Sequence, residues 1–413
     1  MMENRTRSSL WEVFTAAPHR IMFLAGAVQL VLSLLFWLVE LTGRYSDLWP
    51  PFELSIGTTF AHLFLMVYSI FPFFTFGFLM TTYPKWMNGE VVPKSRYTSA
   101  FLLQVAGVGL FYIGLLVSKM LVLAAITIHL AGWLVAYRAL LGVYIAVKGT
   151  RRYHETHLNI AIALGITGEL LYLAFLASGN ELLFQLSIRA GFWLYIIPLL
   201  IIVAHKMLPF FSSNIIEGYR IVQPPWSLPF LWAGLIGHIS LELAGKHSLL
   251  FLFDIPLLLF GLYHTVIWGF IASFKERLLA VLHISFLWFS AGVALYTVQS
   301  LWLFISGGAI LGKGPLHAIA IGFLTSMVVA MGTRVSLGHS GRPLKMDDFT
   351  WRCFWGIQAA AMLRILAEVD ILNALLPIHL NLIASMMWLA SLIPWAFRYG
   401  IIYLRPRVDG QPG

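Results

Sequence analysis

The chain has 413 residues, 59% of them hydrophobic and only 11% charged, with a mean hydropathy of +0.83; an ordinary soluble domain carries about 25% charge. So little polar surface cannot face water, which leaves lipid as the solvent for most of the molecule. The net charge of +9 comes from basic residues scattered singly through short loops, without a basic stripe among exposed aromatics, so nucleic acid is excluded as a partner.

A hydrocarbon core of about 30 Å takes about 20 apolar residues per helix. In chain order, runs of that kind lie at 21–41, 54–80, 98–117, 119–147, 157–178 and 188–210, then at 226–245, 247–273, 278–304, 316–336, 351–374 and 377–401. The expected fold is therefore an all-α polytopic membrane protein of about twelve transmembrane helices. It forms a single integral membrane domain over 1–413, with short tails at 1–20 and 402–413. The first run lacks a small-residue cleavage site and extends to Glu40, so it reads as a retained helix. With the N-terminus inside, twenty of the 27 Lys and Arg residues fall in cytoplasmic segments and five opposite, leaving Arg138 and Arg364 within helices. That bias, held at every loop, places both termini in the cytoplasm. Pro and Gly interrupt several runs, but no persuasive internal repeat accompanies them.

Ionisable residues in lipid need a partner or a task. Arg364 and Glu368 lie one helical turn apart and can neutralise each other, and His238 and Glu242 share that spacing. Glu40 and Asp254 sit near helix ends, where water is in reach. Glu169 falls mid-helix with no local basic partner; a proton path and a hydrogen bond to a neighbouring helix are both open to it.

Histidine is the informative type. Thirteen are present, most of them in or beside apolar runs. Imidazoles spread over many helices suit metal or haem ligation without adding charge, whereas any single one can simply bridge two helices. By depth, His62, His129, His238, His317 and His379 belong to the outer half, and His19, His157, His205, His264, His283 and His339 to the inner half. Met66 follows His62 by one turn, so imidazole and thioether can face one site, or Met66 can be packing. Cys353 is the only cysteine, which excludes an intrachain disulfide, a Cys-rich zinc site, an iron–sulfur ligand set and covalent haem attachment. The segment Arg334-Val-Ser-Leu-Gly-His-Ser-Gly-Arg-Pro343 reads as a cytoplasmic loop whose glycines permit close backbone approach and whose arginines suit carboxylates such as haem propionates. It also reads as a capped helix end carrying topogenic charge.

Leu316-His-Ala-Ile-Ala-Ile-Gly322 through Thr333-Arg-Val-Ser-Leu-Gly-His-Ser-Gly-Arg-Pro-Leu344 resembles the H-A-x-x-x-G … R-x-S-L-G-H-T-G-R stretch of the NnrS family, haem- and copper-containing bacterial membrane proteins. His205-Lys-Met-Leu-Pro-Phe-Phe211, Gly77-Phe-Leu-Met-Thr-Thr-Tyr-Pro-Lys-Trp86 and Pro18-His-Arg20 are similar to further segments of that family. One departure matters. Relatives carry H-x-H-E-M where this chain reads His62-Leu-Phe-Leu-Met66, so it keeps the first histidine and the methionine but lacks the second histidine and the glutamate. His205-Lys206 likewise replaces a Gly-Arg pair. The resemblance implies a divergent member with non-covalent b-type haem and copper as a second metal, in the inner membrane of denitrifying or nitric oxide-exposed bacteria. Its function would be the response to nitrosative stress, with nitric oxide or another diatomic as ligand. Carried over position by position, His62, with Met66 beside it, and His317 are the outer ligands, and His205, His339, Arg334 and Arg342 the inner candidates.

Two other functions compete. A haem–copper oxidase or nitric oxide reductase needs adjacent histidines and an H-x-H pair, and neither occurs here. A secondary transporter would use Glu169 and Arg138 for coupling. Turnover versus binding alone is left open by the residues.

Overall fold

The computed structural model describes residues 9–149 and 152–410. It is 80% helical, with no strand among the described residues. Arg5, Arg7 and Arg151 lie outside the described residues, as do the tail segments 1–8 and 411–413. Within the expected N-terminal tail, Leu10–Phe14 forms a short helix whose N-cap Ser9 and Glu12 bond reciprocally.

Twelve longer helical segments carry the chain: α1 (Pro18–Tyr45), α2 (Thr58–Met87), α3 (Lys94–Val117), α4 (Lys119–Ala146), α5 (Tyr153–Ser178), α6 (Glu181–Ser213), α7 (Ser227–Leu243), α8 (Phe251–Ile267), α9 (Arg277–Ser306), α10 (Gly314–His339), α11 (Asp348–Leu366) and α12 (Leu380–Tyr403). Among the described residues nine of these, all but α7, α8 and α11, are long and apolar enough to cross a membrane. The three others fall short for visible reasons. At 17 residues α7 and α8 reach only about 26 Å. The expected run to 273 breaks at Gly269, whose φ of +87° suits glycine alone. Helix α11 carries Asp348, Arg352 and Arg364, and it stops at Leu366, where the apolar run had suggested 374.

The packing repeats in sets of four helices. In α1–α4, α5–α8 and α9–α12 alike, the first helix packs on the second and the third on the fourth. The fourth of each set meets the first of the next, and α12 closes the ring against α1. The second members, α2, α6 and α10, are 78–89% buried, against 44% for α3 and α4. Each of the three contains a π-helical segment, at Leu65–Ser69, Ala190–Ile196 and Ala318–Thr325. Such segments are rare and cluster at functional sites. No sequence repeat announces this arrangement. The start of α1 and the end of α12 meet at one end of the bundle, where Arg20 donates to the carbonyls of Tyr403 and Arg405 at 2.8 and 2.5 Å. This is called the terminal end below, and its opposite the far end.

Small residues set the helix spacing. A Cβ on Gly107 of α3 would stand 2.6–2.7 Å from backbone and Cβ atoms of His129 on α4, whereas one on Gly109 meets nothing within 4 Å. Gly107→Leu should therefore force α3 from α4 and cost about 1–3 kcal/mol, read as an earlier thermal unfolding in detergent, while Gly109→Leu should leave the transition in place.

Candidate functional site

At the far end, α2 presents His62 three residues before its π segment, and α10 presents His317 directly before its own. The His62 ring stacks on Trp37 of α1 (3.7 Å between centroids, 19°), and the Arg44 guanidinium lies 5.0 Å from the Trp37 ring centre. Glu40, expected near water, is instead buried and anchors this corner. It accepts bonds from Arg44 (2.7 Å), the Thr58 hydroxyl (2.8 Å) and the Phe52 N–H (2.9 Å). His317 Nδ1 lies 2.9 Å from the Lys313 carbonyl. A carbonyl can only accept, so Nδ1 carries the proton and Nε2 the lone pair. His62 differs, because its Nδ1 is buried without a partner.

His62, Arg364 and Lys313 are electrostatic neighbours of His317, and Arg44 and Arg364 of His62. The two histidines thus share one cationic neighbourhood. Arg364 and Glu368 pair at 2.6 Å, as their spacing predicts. Met66 falls inside the π segment, partly buried against the core. His379 caps α12, its Nδ1 accepting the Asn381 N–H at 3.1 Å. Burial and the nearby Arg364 hold its pKa below the ordinary value.

Midway, two buried dyads join neighbouring helices. His129 of α4 bonds Glu169 of α5 at 2.7 Å, so Glu169 has a partner that only helix packing supplies. His238 pairs with Asp254 at 2.6 Å, and Glu242 with Arg189 at 3.1 Å. The expected His238–Glu242 pair is therefore not formed, and Asp254 is buried rather than in reach of water. Arg138 points outward, exposed.

At the terminal end the inner candidates separate into two clusters. His205 Nδ1 lies 2.9 Å from His154 Nε2, with the His264 ring 5.8 Å away and His205 Nε2 buried without a partner. His264 is fully engaged: Nδ1–H donates to Phe260 O at 2.8 Å, and Nε2 accepts from Ser227 at 2.9 Å. His339 instead meets His19, with ring centroids 4.5 Å apart. Arg334 is not in a loop. Helix α10 continues through it to His339, and its guanidinium lies buried 3.8 Å from the Phe211 ring centre. The loop begins at Gly341, whose φ is +72° and whose N–H bonds Gly338 O (3.4 Å), while Arg342 N–H bonds Leu337 O (3.1 Å). That is a Schellman cap, which accounts for the glycine.

Between the three central helices lies an apolar cavity of about 30 Å³, bordered by Phe74 and Leu79, Leu200 and Val203, and Val328 and Met331. Among the described residues no group of three His, Cys, Asp or Glu side chains is placed to hold a metal ion.

The family model described as NnrS protein matches residues 13–407. The chain belongs to the NnrS family. Membership supports a membrane protein of the nitric oxide response, in a family generally associated with haem and metals. No curated protein matches the chain.

His19, His154 and His264 complete the clusters of this NnrS protein, yet sequence alone did not single them out as site residues. One signal was available: His154 and His157 lie three apart and share a helix face. For the mid-bundle dyad, Glu169→Gln keeps an acceptor for His129 and should retain most of the stability. His129→Leu strands a buried carboxyl and should cost about 1–3 kcal/mol, measurable by thermal unfolding of both variants in one detergent.

Proposed function

We propose that this NnrS protein binds a non-covalent haem at the far end, between α2 and α10, and handles nitric oxide there in the bacterial inner membrane. In this reading all twelve segments pass through the bilayer as one domain over 1–413, with both termini in the cytoplasm. The observation that carries the proposal is the pair His62 and His317, one from each of two central helices, both beside π segments and within one cationic neighbourhood. His317 is held in the tautomer a ligating imidazole requires. His62 is buried at Nδ1 without a partner, and an unpartnered buried nitrogen is a cost that ligation through the ring would offset. Arg44 and Arg364 are already paired with Glu40 and Glu368, so Lys313, which forms no ion pair among the described residues, is the charge left for a haem propionate.

Haem asks the protein for axial imidazoles, which this donor set offers. Copper asks for three or four grouped donors, and none is assembled among the described residues, in keeping with the lost second histidine after His62. The residues therefore fit haem and do not fit copper, and no role is assigned to that metal. Bound haem would supply the iron at which a diatomic ligand is taken. The side chains define which ligand can yield: the Lys313 carbonyl fixes His317, whereas His62 has no such anchor. Held by its stack on Trp37 rather than by a hydrogen bond at Nδ1, His62 is the more readily displaced of the two. The apolar cavity of about 30 Å³ among α2, α6 and α10 suits a small uncharged diatomic. The transporter alternative loses its coupling pair, because Glu169 pairs with His129 and Arg138 faces outward.

The optical spectrum of purified protein tests this. His317→Ala should lose most of the Soret absorbance, whereas His62→Ala should retain haem that now binds carbon monoxide. Wild-type protein free of haem after expression with haem supply would refute the proposal, and identical behaviour of the two variants would remove the asymmetry. Val328→Phe, which fills the central cavity, should slow nitric oxide uptake by about tenfold, a barrier of about 1.4 kcal/mol, with the haem spectrum unchanged.

A further inference from the structure

A second cavity, of about 440 Å³, lies at the terminal end between the last turns of α2 and α6, the first turn of α5 and the segment 214–226. We propose that it binds the head group of a lipid-soluble para-quinone, favouring the reduced hydroquinone. The proposal is independent of the haem assignment.

The walls explain the choice. Trp86, Tyr153 and Phe210 give flat aromatic surfaces. Tyr153 is fixed in place: its hydroxyl donates to Pro225 O at 2.7 Å and accepts the Leu228 N–H at 3.2 Å. Lys206 sits 2.8 Å from Glu155 Oε1 and 4.7 Å from the Trp86 ring centre, so the one cationic wall residue is already neutralised. An anionic ligand such as a lipid phosphate would find no unpaired cation there, whereas an uncharged ring meets no penalty.

Hydrogen-bonding capacity narrows the class further. Pro209 has no N–H to give the His205 carbonyl one turn back. Gln223 fills that gap, donating its amide to His205 O and Lys206 O at 3.0 and 3.1 Å. With both amide hydrogens spent, Gln223 can offer a ligand only its oxygen. Glu155 sits behind Lys206 and outside the cavity wall, so its carboxylate serves the ion pair rather than the ligand. The Gln223 oxygen calls for a hydroxyl donor on the ligand, and a hydroquinone carries one at each end of a flat ring. Phe210 and Ile221, each about half exposed, make an apolar rim through which an isoprenoid tail can leave.

The test is photolabelling of full-length protein in lipid nanodiscs with an azido-quinone, mapped by mass spectrometry. Labelling should concentrate in 153–157, 206–210 and 221–225 and be suppressed by a short-chain hydroquinone. Lys206→Gln, and Ile221→Trp at the exposed rim, should each raise the suppressing concentration by roughly tenfold, with thermal unfolding confirming that both variants fold. Suppression by phosphatidylglycerol but not by the hydroquinone would make this a phospholipid site and overturn the proposal. So would labelling spread evenly over lipid-facing helices. Haem content, read on the same samples, reports separately on the far-end site.

Discussion

A polar atom carried into an apolar bundle has no water to fall back on, so it must find its partner in another helix. This constraint organises the whole molecule. His129 needs α5 to supply Glu169, His238 needs α8 to supply Asp254, and Gln29 of α1 reaches Ser69 of α2 at 2.7 Å. Trp288, Gln358 and Ser326 link α9, α11 and α10 in the same way, at 2.6 and 2.8 Å. Each bond fixes the rotation and depth of two helices together, and glycines such as Gly107 and Gly132 let the backbones approach closely enough to make them.

The same constraint gives the exceptions their meaning. Atoms left without partners are spread through the bundle and include Nδ1 of His62, Nε2 of His205 and a carboxylate oxygen of Glu155. A buried polar group with no partner costs free energy, so these are the positions where a ligand changes the balance most. The three π segments lie on the three most buried helices, two of them beside the far-end histidines. The fold spends its irregular geometry where the ring of outer helices converges, leaving the periphery to regular helices and lipid.

The two ends of the bundle also differ in chemistry. The far end combines two imidazoles with Lys313 and the paired residues Arg44–Glu40 and Arg364–Glu368. The terminal end combines a balanced ion pair with aromatic walls, suited to a neutral ring.

Much of this was legible before any coordinates. Hydropathy located every long helix to within several residues, because a bilayer-sized run of apolar side chains has few other uses. The local pair Arg364–Glu368 followed from helical periodicity, and the motifs around His317 and Arg334 pointed to the family that the whole chain matches. The hydrogen bond to a neighbouring helix that was one reading of Glu169 is formed, but which helices touch was not legible. Spacing joined His238 to Glu242, but packing joined it to Asp254; depth put His205 and His339 in one layer, but packing gave them different neighbours, His154 and His19. Of the two readings of the segment from Arg334 to Pro343, the capped helix end is the one the structure holds, as the last turns of α10 and their glycine cap. The sequence by itself determined where helices form and that most of them are apolar, since those are local matters of transfer free energy. Which imidazoles share a site was decided only by the tertiary structure, because lateral contacts between helices of similar hydropathy leave no period in a single chain.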